Sequence, residues 1–407
     1  MVTNEQKQAV WDAYRARRPI RVPVTYGVNA RIVLLDPAWN TRGITFAEYA
    51  ADAVAAIEIQ LLFARYKAEM LHKYCDHPVG PQETIEFYVD NQNTYDSAYF
   101  GAPVAFRDGQ VADVEPYLAG AGKDRIFEID IDRPLDNPFV QSCLRRYEDL
   151  KAAAARLPGD GRIYTVRPPL MGFDGPLTMA VNLRGPEMLS DLIEDPEYAV
   201  KLMTFIQTGA AIRNRALAER FGQPAFTGPS GNLADDSIAL ISTEMYERLV
   251  LPLHRAWYAQ WSAAGPHGIH LCGDATRHFP TIRRELNVMS FDTGFPVDHG
   301  RLREALGEDV EIQGGPEVSL LLSGSPAAVG ERTAGILRSG VMRGGRFILR
   351  EANNLAPRTP EANLAAMYQC CLEHGVYRKG SPFDVKGIKT QVTTEDILSA
   401  IREVRER

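Results

Sequence analysis

The sequence lacks any apolar run approaching the roughly 18–20 residues that span a membrane. Its N-terminus, MVTNEQKQAVWDAYRARRP, reads as a charged helix where a secretory signal would put an apolar stretch before a small-residue cleavage site. Basic charge is short as well. There are 45 Lys and Arg against 52 Asp and Glu, net −7, and nucleic-acid binding needs the opposite balance, with clustered cations to displace counterions. Cysteine is sparse: Cys75, Cys143, Cys272, Cys370 and Cys371 are odd in number and widely scattered, which excludes a secreted disulfide scaffold. No internal repeat, low-complexity tract or linker interrupts the chain. These absences lead to the expectation of a soluble cytoplasmic protein with no nucleic-acid or membrane partner. A hydrophobic fraction of 45% over 407 residues suffices for a large buried core.

What is present is an alternation of short apolar runs and longer helical stretches, the sign of parallel βα units. Strands are expected at residues 21–26, 84–89, 162–166, 225–227, 268–271, 288–291, 310–313 and 346–349. Helices are expected at 45–72, up to 156, and over 187–192, 196–221, 242–263, 278–286, 298–306 and 326–339. Asp195 and Ser242 are the expected N-caps, Asp195 standing just before Pro196. Residues 99–136 are rich in turns and charge and read as an excursion. Eight such units predict one (β/α)8 TIM barrel over residues 1–407, a single domain with an N-terminal helical extension and an insertion after the second strand.

A barrel carries its chemistry at the C-terminal ends of its strands. That rule nominates Asp235 and Asp236 after the fourth, His270 and Cys272 at the fifth, Asp292 at the sixth, Gly314 and Gly315 at the seventh, and Glu351 and Asn353 at the eighth. Residues i and i+2 of a strand project to one side, so His270 and Cys272 share the mouth, and imidazole with thiolate suits zinc. Glu351 is the expected third donor, with an ion pair to Arg350 or another barrel-mouth arginine as the alternative. Asp235, Asp236 and Asp292 are the acid–base candidates. Gly314-Gly315 is read as a place of close backbone approach to a ligand or cofactor, and Tyr26, Arg31, Phe173 and Asn353 as substrate contacts. His267 belongs to the other barrel end, His254 and His374 to helices, and His278 is held in reserve as a ligand.

Several blocks resemble the uroporphyrinogen decarboxylase superfamily: DGPLTMAVNLRGPEMLSDLIEDPE, DDSIALISTEMYERLVLPLH, GIHLCGD, VEIQGGPEVSLLLSGSPAAV and GRFILREANNLAPRTPEANLAAM. The likeness spans residues 19–375 and implies the (β/α)8 barrel. True decarboxylases of this kind carry an arginine-rich N-terminal signature for the carboxylates of the porphyrinogen. Here the matching stretch, VPVTYGVNARIVLLDP, keeps Arg31 alone. The other branch resembles corrinoid-dependent methyltransferases, whose zinc is held by H-x-C and a later cysteine. His270 and Cys272 match the first two positions, and Asn353 stands where the cysteine would be.

The resemblance implies a zinc-dependent methyltransferase of the O-demethylase type, moving a methyl group between a small molecule and a corrinoid protein. The corrinoid would arrive on that partner, and a homodimer paired through barrel faces is a further expectation. Two alternatives stay open: a metal-independent decarboxylase of uroporphyrinogen or a related carboxylated substrate, and a non-catalytic ligand-binding or corrinoid-docking barrel.

Overall fold

The structure is a computed structural model, and it describes residues 2–78, 84–224, 233–260 and 265–377. The fold set out below is the compact unit that runs to Val376. The expected strand at 225–227 and the end of the helix expected over 242–263 lie outside the described residues.

The strands are β1 (Thr84–Phe87), β2 (Val104–Ala105), β3 (Asp113–Val114), β4 (Ile163–Val166), β5 (Leu233–Ala234), β6 (His267–Leu271), β7 (Val288–Thr293), β8 (Glu311–Gly314) and β9 (Phe347–Leu349). β5 to β9 form one parallel sheet in chain order, β1 and β4 a parallel pair, and β2 and β3 an antiparallel hairpin within the excursion. Residues 21–26 approach β9: Val24 bridges Leu349 in parallel, Thr25 N–H donates to Leu349 O at 3.0 Å, and Leu349 N–H donates to Pro23 O at 2.9 Å. Among the described residues no ladder joins residues 21–26 to β1, or β4 to β5. The result is an α/β fold with helices packed outside a parallel sheet.

Period-two alternation decides what the sheet shows to each side. The register row Leu233, Ile269, Phe291, Ile312 and Phe347 is apolar and buried throughout. It faces the helices, as the Phe279–Phe291 ring contact at 5.0 Å shows. One residue on, the row Ala234, His270, Asp292 and Gln313 faces the other way. The polar row is therefore a consequence of strand register, and it places His270 beside Asp292.

Local chemistry sets the helix boundaries. Asp195 accepts from Tyr198 N–H and Ser242 from Met245 N–H, both as expected for N-caps. The stretch expected as one helix over 45–72 is split into Phe46–Ala51 and Ala53–Glu69. Asp52 is the cause: its extended backbone (φ −114°, ψ 121°) ends the first helix, and its carboxylate caps the second through Ala55 N–H. The helix Pro176–Arg184 was not foreseen after the third strand, because its cap is supplied from elsewhere in the chain. No helix of the described residues is long and apolar enough to cross a membrane.

Candidate metal centre

His270, near the end of β6, is fixed from both sides. Its Nδ1 lies 2.7 Å from Asp292 Oδ2 on the neighbouring strand, and its Nε2 lies 2.8 Å from Cys272 Sγ. With Nδ1–H donated to a carboxylate, the Nε2 lone pair is left facing the thiol, the tautomer in which a histidine binds metal. Burial alone would depress this imidazole, but the Asp292 carboxylate and the charge of Asp236 raise it above its ordinary value. Burial pushes the Cys272 thiol far up, and the negative charge of Asp236 adds to the effect. A cation beside a thiol so placed would favour its ionised form.

Asp236 completes the group. Its Oδ1 accepts from Cys272 N–H at 2.6 Å, and ligand atoms of Asp236, His270 and Cys272 all lie within 4.8 Å of one another. All three side chains are part-buried. The set of one imidazole nitrogen, one thiol sulfur and one carboxylate oxygen fits zinc, and three protein donors leave a coordination position for substrate. Gly294 lets the loop after β7 lie against this turn, since a Cβ there would sit 1.6 Å from Cys272 O.

The structure assigns the other candidates different places. Glu351 stands outside the group: its Oε1 accepts from Arg350 Nη2 at 2.9 Å and from Gly27 N–H at 2.8 Å. The alternative reading of Glu351, an ion pair with Arg350, is thus the arrangement found. Its Oε2 is buried with no hydrogen-bond partner among the described residues, and burial pushes the carboxyl up to about 7 despite Arg350. Asp235 is fully buried and points away from its neighbour Asp236. It accepts from Thr178 N–H at 2.7 Å and Thr178 Oγ1 at 2.8 Å, capping the helix Pro176–Arg184, and lies 2.8 Å from His254 Nε2. Such a carboxylate holds the scaffold together and has no face open to a substrate.

Tyr26 and Phe173 are buried, Phe173 against Trp257 at 4.7 Å. Arg31 donates through Nε to Asn29 Oδ1 at 2.8 Å and lies within the electrostatic reach of Asp90 and Cys272. The Asn353 side chain accepts from Asn354 at 3.3 Å, while its carbonyl accepts from Arg350 at 2.5 Å. At Gly314 and Gly315 the close approach is real, but the chain itself makes it. A Cβ on Gly315 would lie 2.0 Å from Arg350 O, and one on Gly314 2.4 Å from Thr293 Oγ1. His278 is buried, with Nε2 2.9 Å from Ile238 O, and His267 stacks on Tyr258 at 4.4 Å.

Two roles escaped the sequence reading. Arg350 donates to Asp292 Oδ2 at 2.7 Å as well as to Glu351, so one guanidinium ties the end of β9 to the His270–Asp292 pair. Its place beside Glu351 was visible, but not its reach across to β7. Asp174 accepts from Tyr95 at 2.7 Å and is pushed up to about 7 by burial and by the charges of Asp96 and Asp236.

Residues 97–374 match the family model described as uroporphyrinogen decarboxylase (URO-D). A methylated-thiol--coenzyme M methyltransferase of Methanosarcina mazei is 32% identical over 208 residues, 50% of this chain and 52% of that protein. The chain spans about half the length of that curated relative. A solved structure, a methyltransferase from Methanosarcina mazei, superposes with a TM-score of 0.58 at 15% identity, covering 92% of this chain and 99% of that one. At that identity the likeness concerns the fold.

Proposed function

The chain belongs to the uroporphyrinogen decarboxylase family, and from that premise we propose that it is a zinc-dependent methyltransferase on a (β/α)8 barrel. Residues 21–26 with β1 and β4 to β9 supply eight strand positions, and the bonds between residues 21–26 and β9 support closure. The observation that carries the function is the convergence of Asp236, His270 and Cys272 with Asp292 behind the imidazole. These three would hold zinc, with Asp236 in the place expected for Glu351. When bound, zinc supplies Lewis acidity that keeps a thiol ionised or draws charge from an ether oxygen. Asp292 holds His270 in the metal-ready tautomer, and Arg350 holds Asp292.

The substrate class is a small methylated thiol or methyl ether. The methyl group passes, without its bonding electron pair, to or from the cobalt of a corrinoid carried by a separate protein at the barrel mouth. The curated relative supports methyl transfer. The arginines speak against the decarboxylase alternative. Arg350 is committed to Asp292 and Glu351, and Arg31 is fixed through Nε to Asn29, which is poor provision for a substrate with many carboxylates.

The test is zinc content of the purified full chain together with methyl transfer to free cob(I)alamin from methylated thiols and aryl methyl ethers. One zinc per chain, lost in Cys272→Ser together with transfer, is expected. A metal-free protein that transfers methyl groups undiminished would sink the metal assignment, and carbon dioxide release from a porphyrinogen would favour the decarboxylase.

A further inference from the structure

The carboxyls nominated at the strand ends are already engaged. Asp235 caps the helix Pro176–Arg184, and Asp236 stands in the metal group. Asp292 is shared by His270 and Arg350, and Glu351 by Arg350 and Gly27. Asp174, in the turn between β4 and the helix Pro176–Arg184, differs from all of them. Its Oδ1 accepts from Tyr95 OH at 2.7 Å. Its Oδ2 has no hydrogen-bond partner among the described residues, and the residue is only part-buried, so that oxygen is left accessible.

The turn is pinned, which sets where that oxygen stands. Asp174 N–H donates to Asp96 Oδ2 at 3.0 Å, and Arg213 Nη2 donates to Gly172 O at 2.9 Å. Gly175, at φ +88°, lies against the end of β5: a Cβ there would meet Ala234 O at 2.1 Å and Asp235 Cβ at 2.5 Å. Asp236 follows directly, and its charge reaches Asp174. Asp174 is thus held beside the metal group without belonging to it.

The surrounding charges favour a neutral Asp174. The cation Arg213 pairs with Asp96 at 2.7 Å, both side chains fully buried. Asp174 has no such partner among the described residues, and burial with the charges of Asp96 and Asp236 pushes it up to about 7. Because Tyr95 donates to Oδ1, the proton of the neutral carboxyl sits on Oδ2, the accessible oxygen.

We propose that Asp174 is the acid of methyl-ether cleavage, its Oδ2 giving a proton to the ether oxygen as the C–O bond breaks. This rests on the methyltransferase reading and narrows its substrates to ethers. An ether oxygen leaves as a strongly basic alkoxide or phenoxide unless a proton arrives, whereas a thiolate is far less basic and has little use for a placed acid. The C–O electron pair stays on oxygen, which becomes a hydroxyl. The methyl group takes its new bond from the electron pair of cob(I)alamin, whose cobalt goes from Co(I) to Co(III). Asp174 is left a carboxylate and regains its proton from solvent.

Methyl transfer to free cob(I)alamin from two probes of matched shape, methoxybenzene and methyl phenyl sulfide, tests this with the full chain. Asp174→Asn keeps the shape and an oxygen for Tyr95. It should leave zinc content unchanged and lower transfer from the ether about a hundredfold or more, with less than about a fivefold loss for the sulfide. In the unaltered chain the ether-to-sulfide ratio should fall as pH rises through about 7, and in Asp174→Asn it should be flat. Tyr95→Phe should move that fall to higher pH, since the lost hydrogen bond holds the carboxyl down. Independently of turnover, infrared difference spectra should show a protonated-carboxyl band that disappears as pH rises through about 7 and is missing from Asp174→Asn. Equal losses for both probes, no loss for the ether, or no such band would overturn the proposal and leave the methyltransferase reading standing. Transfer from neither probe by the unaltered chain would overturn both.

Discussion

Two histidine–aspartate pairs lie close together in this molecule, and their lengths differ by only 0.1 Å: His270–Asp292 at 2.7 Å and His254–Asp235 at 2.8 Å. Both look like halves of a catalytic constellation. They part company at the other ring nitrogen. His254 Nδ1 meets Tyr246 OH at 3.2 Å, and both members of that pair are fully buried, so every strong group has a partner and none faces a substrate. His270 Nε2 instead meets a thiol, with its side chain 31% exposed and a second carboxylate within ligand reach. The bond to aspartate sets a tautomer in both cases. Only the free face decides whether that tautomer can be used.

The contrast can be broken by exchanging the expected penalties. His270→Ala should remove several kcal/mol of Lewis-acid assistance with the zinc, roughly a thousandfold in methyl transfer. It should cost far less in denaturant unfolding than a change at the fully buried pair, because the side chain is part-exposed to solvent. Asp235→Ala should do the reverse. It strands the Thr178 donors and His254 in the interior, for about 3–5 kcal/mol of lost stability by chemical denaturation. A stable Asp235→Ala protein with abolished transfer would show that the buried pair serves the reaction directly.

The sequence made the sheet and the pair His270–Cys272 readable for a physical reason. Strand periodicity and the end of an apolar run are local properties, and both residues lie on one short segment. Asp236 as the third member of that group was harder to read. It stands next to Asp235 in the chain, both were equally eligible, and only tertiary packing turns one to the Thr178 helix cap and the other toward Cys272. Glu351 drew attention for the same reason in reverse: it follows a strand end, but its own neighbour Arg350 and the distant Gly27 N–H claim its carboxylate. Arg350 could be seen beside Glu351, whereas its bond to Asp292 spans 58 positions of sequence. The split at Asp52 was legible in principle, since an aspartate three residues before an unsatisfied N–H is a cap signal.

Glu351 gives the comparison a pH axis. Its carboxyl titrates at about 7 in the fold against an ordinary 4.5, so between those values the native state holds a proton that the unfolded chain has released. The associated stability is complete below pH 4.5 and is lost as pH rises through 7, in total about 3 kcal/mol. Glu351→Gln should abolish that component. Subtracting its unfolding free energies from those of the unaltered chain at pH 5 and pH 8 measures it, and a difference that does not change with pH would refute the assignment.

Asp292→Asn sharpens the pair at the metal side. An amide can present its NH₂ to His270 Nδ1 and favour the wrong tautomer, so zinc affinity should fall about 10–100-fold by competition with a chelator, with far less effect on folding. Arg350→Met should reproduce part of that loss, since it frees Asp292 from one of its two partners.

The smallest effect is expected at Asn353. Restoring a cysteine there recreates the ligand pattern of the methyltransferase branch, so a reading from sequence alone predicts tighter zinc. The structure predicts otherwise. Among the described residues the Asn353 side chain bonds only to Asn354, its carbonyl is held by Arg350, and Asp236 already stands within ligand reach of His270 and Cys272. Asn353→Cys should therefore leave zinc affinity within about twofold and stability within about 0.5 kcal/mol, the usual range for a change away from a buried contact. Asp236→Asn, by contrast, should release the metal. If the cysteine tightens zinc and rescues Asp236→Asn, the third ligand position belongs to the end of β9, and the carboxylate beside Cys272 belongs to the substrate.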